Sequence, residues 1–225
     1  GVYAETGSVT LSGGEVISNS ASYKGGGMCV WGGSVTLSGG QIIHNTAKGP
    51  TAWDGGGGMF VLGSATLNGV QIISNSASHG GGLYVYLSNV TLSGVQIIDN
   101  SAASGGGGMF IWTDSSVTLN GGEITNNSAR RGGGVGSGGT FTLTNSVVSD
   151  NRADDLGSGL YIEGDSSLLL HTTIARNRDG DGSGVYITGI TSTVALTNTV
   201  LVSHTVGITC TPGNTAILNG VLWYS

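Results

Sequence analysis

Short hydrophobic segments alternate with polar and glycine-rich segments along the whole chain. Each hydrophobic segment spans four to six residues and is rich in β-branched or aromatic types, which indicates strands and is too short for helices. A Thr-Leu pair recurs at Thr10, Thr36, Thr66, Thr91, Thr118 and Thr142. These threonines are 26, 30, 25, 27 and 24 residues apart, yet an asparagine always follows eight residues after the paired leucine. A fixed internal spacing with a variable total length predicts stacked strand units whose length differences lie in one loop.

Each unit contains three segments that alternate with a period of two, so we expect the aliphatic positions to point inward. The first segment follows the glycines and gives Met28, Met59, Leu83, Met109, Val135, Leu160 and Val185. The second surrounds the Thr-Leu pair and gives Leu11, Leu37, Leu67, Leu92, Leu119 and Leu143. The third gives Val16, Ile42, Ile72, Ile97, Ile124, Val148, Ile174 and Leu201.

The pattern predicts an all-β fold, a single-stranded parallel β-helix (β-solenoid) of about eight to nine rungs with three short strands per rung. A rung is one complete winding of the chain. We expect one continuous β-helix domain over residues 1–225, and a fragment of a longer chain, because both ends interrupt the repeat. The polar stretch between each asparagine and the next glycines is interpreted as a variable loop, where binding features are expected.

The recurring asparagine predicts a structural ladder. An amide carries both a donor and an acceptor, so asparagines on successive rungs are expected to hydrogen-bond each other. The ladder is predicted to contain Asn19, Asn45, Asn75, Asn100, Asn127, Asn151 and Asn177, with His204 in the next place.

Composition narrows the class of partner. Glycine occurs 44 times and proline twice, which excludes collagen and proline-rich disorder. Only 9% of residues are charged, with a net charge of −6 and no basic stripe, so nucleic acid is not expected as a partner. No apolar run is long enough to span a membrane. Cys29 and Cys210 lie about seven rungs, or ~34 Å, apart, which excludes a disulfide within the chain.

The repeated GGGMFV and GGGLYV segments, alternating with IISN and IIDN, resemble the GGA(I,L,V) and FxxN repeats of chlamydial polymorphic membrane proteins. More broadly they are similar to right-handed parallel β-helix, pectin-lyase-like proteins of bacterial surfaces, including autotransporter-type passengers. The resemblance implies right-handed winding, secretion or a cell-surface location, and an adhesin-like role. It specifies the scaffold strongly and an activity hardly at all. Isoleucine or valine stands here where the family motif has phenylalanine.

Aromatic residues dominate the outward positions of the first segment. One outward column begins at Cys29 and the next at Trp31, and together they give the candidate ligand-binding residues Trp31, Phe60, Tyr84, Tyr86, Phe110, Trp112, Tyr161 and Tyr186. Exposed rings at rung spacing are suited to stacking on sugar faces or packing on a partner protein. The alternative is that neighbouring rings only stabilise one another across strands.

Two further outward columns are regular. The threonines of the Thr-Leu pairs, each followed two residues later by serine, asparagine or threonine, are similar to the TxT face of insect antifreeze solenoids. Threonine is also simply a good exposed strand residue. Beside this array lies an aliphatic column formed by Ile17, Ile43, Ile73 and Ile98.

Four carboxylates in later units form the only enzyme-like cluster. Aligning GSGLY with GSGVY brings Asp154 near Asp179, with Asp155 and Asp181 in the same corner. Pectin-degrading β-helices carry aspartates on adjacent rungs, so these four are the catalytic candidates for a polysaccharide lyase or hydrolase. Asp154, Asp179 and Asp181 are candidate calcium ligands. The ordered motif set of those enzymes is absent, and neutralising arginines in a solvated loop are the simpler interpretation.

The histidines do not converge on one site: His44, His79 and His171 are each interpreted as a satisfied turn residue. The main functional hypothesis is a non-catalytic, secreted or cell-surface β-solenoid that binds a polysaccharide or a surface protein through its aromatic face and loop edge. No cofactor is expected apart from the candidate calcium site. Two alternatives stay open, the enzyme and a scaffold that stacks end to end through its open strand edges.

Overall fold

The structure, a computed structural model, describes residues 1–51, 53–164 and 166–224. These residues form strands joined by turns and contain no helix. The strands belong to three parallel sheets in about eight rungs; two of the sheets follow the stack from end to end, and the third covers six rungs. The predicted all-β parallel solenoid with three strands per rung is therefore confirmed.

The first two strand positions of each rung share a 16-stranded sheet, and the third position forms a nine-stranded sheet. Two strands run through both of the first positions, β5 (Met28–Ser38) and β8 (Met59–Asn68). The other first-position strands are β1 (Val2–Ala4), β11 (Leu83–Val85), β15 (Met109–Ile111), β19 (Val135–Ser137), β23 (Leu160–Ile162), β26 (Ser183–Ile187) and β29 (Val206–Cys210). The other second-position strands are β2 (Ser8–Ser12), β12 (Asn89–Ser93), β16 (Ser116–Asn120), β20 (Thr140–Thr144), β24 (Ser167–Leu170), β27 (Thr193–Thr197) and β30 (Thr215–Asn219). The third-position strands are β3 (Glu15–Ile17), β6 (Gln41–Ile43), β9 (Gln71–Ile73), β13 (Gln96–Ile98), β17 (Glu123–Thr125), β21 (Val147–Ser149), β25 (Thr173–Ala175), β28 (Val200–Val202) and β31 (Leu222–Tyr224).

A fourth short strand precedes the glycines in six rungs, where the sequence predicted a loop. These strands form a six-stranded sheet of their own: β4 (Ser20–Ala21), β7 (Thr46–Ala47), β10 (Ser76–His79), β14 (Ser101–Gly105), β18 (Ser128–Arg131) and β22 (Arg152–Leu156). The loop assignment was therefore wrong for these residues. Polar sequences such as SASH and SARR lack a strand-like pattern, and they pair because the flanking rungs already hold neighbouring copies at strand distance.

The register between rungs places like residues above like. Leu83 pairs with Met59 below it and Met109 above it, and Thr91 pairs with Thr66 and Thr118. The predicted inward columns are buried in one continuous core, except that Leu11 and Val16 are only partly buried near one end of the stack. Because parallel strands repeat each side chain on the same face, one aliphatic choice per position fills the interior of every rung.

The asparagine ladder is present as predicted; its members are buried from Asn45 to Asn177, and Asn19 at one end is half-buried. Asn75 Nδ2 donates to Asn100 Oδ1 at 3.0 Å, and Asn100 Nδ2 donates to Asn127 Oδ1 at 3.0 Å. The series continues to Asn177, whose Nδ2 lies 3.2 Å from His204 Nε2. Each ladder oxygen also accepts the backbone N–H of the preceding ladder residue, as Asn127 Oδ1 does from Asn100 at 2.9 Å.

The glycine clusters make space for this ladder and turn the chain. Gly106 has a φ of 61°, and a Cβ at that position would lie 2.1 Å from the carbonyl oxygen of Met109. A Cβ on Gly108 would approach Cγ of Asn127 to 3.0 Å. Glycine is required at the first position for its conformation and at the second for the close approach of the ladder. The two repeat signatures, GGG and the asparagine, are thus one packing unit.

Candidate functional site

The outward aromatic residues lie where the sequence placed them, but they are not uniformly exposed. Phe60, Tyr84 and Tyr161 are buried, although none of them belongs to the interior core. Trp31 is 40% exposed, and Tyr86, Phe110, Trp112 and Tyr186 are half-buried. The expectation of a flat exposed ladder of rings was therefore wrong for three of the eight.

Two contacts bury these rings. The rings pack on one another, with Tyr84 5.4 Å from both Phe60 and Phe110 between ring centroids. The chain before the glycines also borders them: a Cβ on Gly105, the last residue of β14, would lie 3.1 Å from the Phe110 ring, and a Cβ on Gly55 would lie 3.0 Å from the Tyr84 ring. The aromatic side chains consequently line the inner corner between two sheets, on the outside of the solenoid.

One cleft opens where this aromatic surface is interrupted at a single rung. Gly136 occupies the column of Phe110 and Tyr161, with which it pairs directly, and Gly138 follows two residues later. Neither outward position of this rung carries a side chain, so a space of about 240 Å³ opens between the neighbouring rings. We call it the Arg131 cleft, and its lining includes His79, Phe110, Trp112, Arg131, Tyr161 and Glu163.

Charged and polar groups surround the rings of the Arg131 cleft. The Arg131 guanidinium lies 5.7 Å from the Tyr161 ring centroid and donates to Asp155 at 3.0 Å. Tyr161 donates from its hydroxyl to Glu163 Oε2 at 2.8 Å. Burial, and to a smaller extent this hydrogen bond to Glu163, raises the pKa of Tyr161 to about 12. The cleft thus offers an aromatic surface with hydrogen-bonding groups of both kinds at its rim.

His79 is the most unusual polar residue of this cleft. Its ring stands at 62° to Phe110, with 5.0 Å between centroids, and burial lowers its pKa. Its Nδ1 is buried and has no hydrogen-bond partner among the described residues. His79 lies in β10, so its interpretation as a satisfied turn residue was wrong. His44 and His171 do sit at turns, with φ values of 56° and 50°.

A second cleft with the same construction lies nearer the N-terminus. It has a volume of about 190 Å³ and is lined by Lys24, Trp31, Trp53, Phe60 and Tyr86. The Lys24 ammonium lies 5.2 Å from the Trp31 ring centroid and 5.5 Å from that of Phe60. We call this the Lys24 cleft. Lys24 and Arg131 both immediately precede a glycine cluster, so each places a cation over a ring at the same corner of its rung.

Trp53 joins the two clefts and comes from the longest insertion between an asparagine and the next glycines. Its ring lies 4.8 Å from that of Trp112 and 5.7 Å from that of Tyr86. Buried Asp54 holds the insertion by accepting from the Thr51 hydroxyl at 2.6 Å, and its carbonyl accepts from Ser78 at 2.6 Å. Ala52, in the same insertion, lies outside the described residues.

Comparison with known protein families agrees with this architecture. A family model described as the right-handed beta helix region matches residues 57–221. The chain belongs to the right-handed β-helix family. The winding of this β-helix is accordingly right-handed, and no curated protein or solved structure matches the chain.

The four candidate aspartates of the β-helix are brought to one corner but engage different partners. Asp154 and Asp179 both contact Arg152, at 3.0 Å and 2.5 Å. Asp155 is paired with Arg131, while Asp181 accepts from the Ser183 hydroxyl and from the Gly157 N–H. Among the described residues, no group of three or more His, Cys, Asp or Glu side chains is arranged to hold a metal ion. The calcium assignment stays a prediction, and none of the four lines either aromatic cleft.

Several other outward assignments match the β-helix geometry. The threonine column is exposed from Thr10 to Thr118 and half-buried at Thr142. In the isoleucine column, Ile17 is exposed and the other three residues are half-buried. On the same strands, Gln71 Nε2 donates to Gln96 Oε1 at 2.6 Å.

Both cysteines are free, as their separation predicted. No helix in the described part of the chain has the length and apolarity needed to cross a membrane.

Sequence reasoning missed five residues of this site: Lys24, Trp53, Arg131, His79 and Glu163. A signal for the Arg131 cleft was present, because the outward aromatic column breaks at Gly136 within GGGVGSGG. Trp53 carried a weaker signal as a large aromatic residue in an insertion, which is where binding features concentrate.

Proposed function

We propose that this β-helix is a secreted or cell-surface, adhesin-like protein without catalytic activity that binds polysaccharide through the Lys24 and Arg131 clefts. The observation that carries the proposal is the repeated construction of the two clefts, each with aromatic rings as its surface and a cation over one ring. The proposed location and the bacterial origin rest on the resemblance of the repeats to bacterial surface proteins.

The chemistry of the clefts favours sugar over a protein partner. A pyranose ring presents apolar C–H faces and polar hydroxyl edges. The faces match the aromatic side chains of the cleft, and the edges match the Glu163 carboxylate, the Arg131 guanidinium and the Tyr161 hydroxyl. Volumes of about 190 and 240 Å³ lie below the ~300–1,000 Å³ of pockets for drug-sized ligands, so each cleft admits a group the size of one ring. An α-helix, ~10–12 Å across with its side chains, does not enter them.

No structural observation favours the enzyme or the end-to-end scaffold over this proposal. The four aspartates are paired with arginine, serine or backbone groups, and they lie outside the aromatic clefts. Arginine partners of this kind neutralise exposed carboxylates, which is their ordinary role in a solvated corner. A lyase or hydrolase that uses them stays a hypothesis from the sequence.

Binding to a glycan array, with stability measured in parallel, tests the proposal. We expect Trp31→Ala and Trp112→Ala each to reduce retention about tenfold while the melting temperature stays near that of the parent, since truncating an aromatic anchor of a binding surface costs more than ~1 kcal/mol. The control Tyr23→Ala removes a ring that is 65% exposed and lines neither cleft, so retention should be unchanged. Absence of retention on every glycan by the parent chain, or equal loss in the control, would overturn the proposal.

A further inference from the structure

We propose that the Lys24 and Arg131 clefts are two subsites of one groove, which binds a single neutral oligosaccharide chain lying along the solenoid axis. This inference rests on the proposed function and adds to it the number of chains bound, their direction and their charge class. A protein with two independent sugar sites would share the clefts but none of these three properties.

The aromatic surface is continuous between the clefts. Tyr86 lines the Lys24 cleft and Trp112 lines the Arg131 cleft, and their ring centroids are 6.0 Å apart. Trp53 contacts both rings and is 51% exposed, so a ring surface remains available at the junction. A chain that leaves one cleft therefore meets aromatic faces until it enters the other.

The spacing of the clefts requires a ligand of several sugar residues. The Lys24 cleft is centred on the rung that begins at Met59, and the Arg131 cleft on the rung that begins at Val135. These rungs are three steps apart in the parallel register, through Leu83 and Met109, which corresponds to ~14 Å. A monosaccharide does not span this distance, whereas an extended chain parallel to the axis does.

The charges of the groove favour a neutral chain over an acidic one. At the Arg131 cleft, Arg130 and Arg131 both lie within 4 Å of Asp155, which stands just outside the lining, and Glu163 lies at the rim. These two cations and two anions balance. In the Lys24 cleft, the single ammonium lies over two rings, a position that is used for packing rather than for an ion pair. A polyuronate would meet little net positive charge along this groove.

A spanning ligand has a thermodynamic signature. Once one cleft is occupied, binding at the second becomes intramolecular, and linked binding of this kind commonly raises affinity by ~10²–10⁴ over a single site. Two independent clefts give no such step, because a longer chain then gains only from the larger number of positions in which it binds. The affinity should therefore rise about 100-fold over a narrow range of chain lengths.

Isothermal titration with β-1,4-linked glucose oligomers, from the disaccharide to the octasaccharide, tests the inference. These chains present flat, uncharged ring faces on both sides. We expect two disaccharides but one octasaccharide per protein chain, with the ~100-fold rise in affinity between them. Trp53→Ala should remove most of this rise and reduce the number of disaccharides bound from two to one, because Trp53 also lines the Lys24 cleft. Tyr23→Ala serves as the matched control and should bind every oligomer as the parent does.

The outcomes separate this inference from the proposed function. Two octasaccharides bound per chain, or an affinity independent of length, would overturn the spanning groove and leave polysaccharide binding intact. If the protein retained acidic glycans on the array but bound none of the glucose oligomers, the inference that the ligand is uncharged would be overturned. Failure to retain any glycan would overturn the proposed function and this inference together.

Discussion

Replacing Asn100 by alanine tests whether the ladder stabilises the stack. The Asn100 side chain is fully buried, and its Oδ1 accepts from the Asn75 backbone N–H at 2.9 Å and from Asn75 Nδ2 at 3.0 Å. Its Nδ2 donates to Asn127 Oδ1 at 3.0 Å and to the carbonyl oxygen of Ile72 at 2.9 Å. The substitution strands the buried N–H of Asn75, which costs ~1–3 kcal/mol, and removes side-chain hydrogen bonds worth ~1 kcal/mol each. We expect the free energy of unfolding to fall by about 4 kcal/mol.

Urea unfolding followed by circular dichroism measures this loss, and native-state hydrogen exchange locates it. The Asn75 amide should lose protection in the variant, while amides several rungs away keep theirs, since each rung contacts only its neighbours. The matched control is Asn68→Ser. Asn68 is exposed, lies outside the asparagine ladder and pairs with Ser38 and Ser93 on the adjacent rungs. It should change the free energy by less than ~0.5 kcal/mol. An equal effect of the two substitutions, or a protected Asn75 amide in Asn100→Ala, would refute the argument.

Three further predictions concern the inward and outward faces of the third strand position, the pH dependence of stability, and the insertion that carries Trp53. Ile97→Ala should cost ~2–5 kcal/mol in urea unfolding because the side chain is fully buried, whereas its outward neighbour Ile98→Ala should cost less than ~1 kcal/mol; equal costs would contradict the assigned faces. Burial lowers the pKa of His79, so below pH ~6.5 the unfolded chain takes up a proton that the folded chain does not. The free energy of unfolding should therefore fall as the pH drops through that value, and His79→Gln should flatten part of the fall; parallel pH profiles would count against this. Asp54→Ala should release the insertion and abolish the near-ultraviolet circular dichroism of the Trp53 ring pairs without moving the urea midpoint, and an unchanged spectrum would show that Asp54 does not position the ring.

The sequence predicted those features that depend on repetition. Asn100 and Leu92 recur at a constant offset in every unit, so their burial and stacking follow from the period alone. Features that depend on contact between units were not predictable in this way. The exposure of Tyr84 depends on how tightly Phe60 and Phe110 pack on it, and no periodicity measures that.

The backbone conformation of the residue before each ladder residue was also not fully predictable from the sequence. The preceding residue is left-handed in eight rungs, although its identity changes from serine to histidine, aspartate, asparagine and arginine. Arg176 holds a φ of 52° there and His44 a φ of 56°. Histidine, aspartate and asparagine are enriched in this conformation, whereas serine and arginine are not, so local propensity indicates it in only four of the eight rungs. In the other four rungs, the common feature is the adjacent ladder residue, such as Asn177, whose side chain hydrogen-bonds to neighbouring rungs.

The asparagine ladder also has a direction. Nδ2 of Asn75 donates toward Asn100, and Nδ2 of Asn100 donates toward Asn127, so every amide in the series is oriented alike. A surface cut across this amide series therefore exposes a ladder Nδ2 donor on one face and a ladder Oδ1 acceptor on the other. Two such surfaces related by a twofold axis would oppose donor to donor, which is the wrong match for an isologous interface. Only a screw-like displacement along the axis continues the series, so contacts between stacks that extend the ladder are necessarily polar and heterologous.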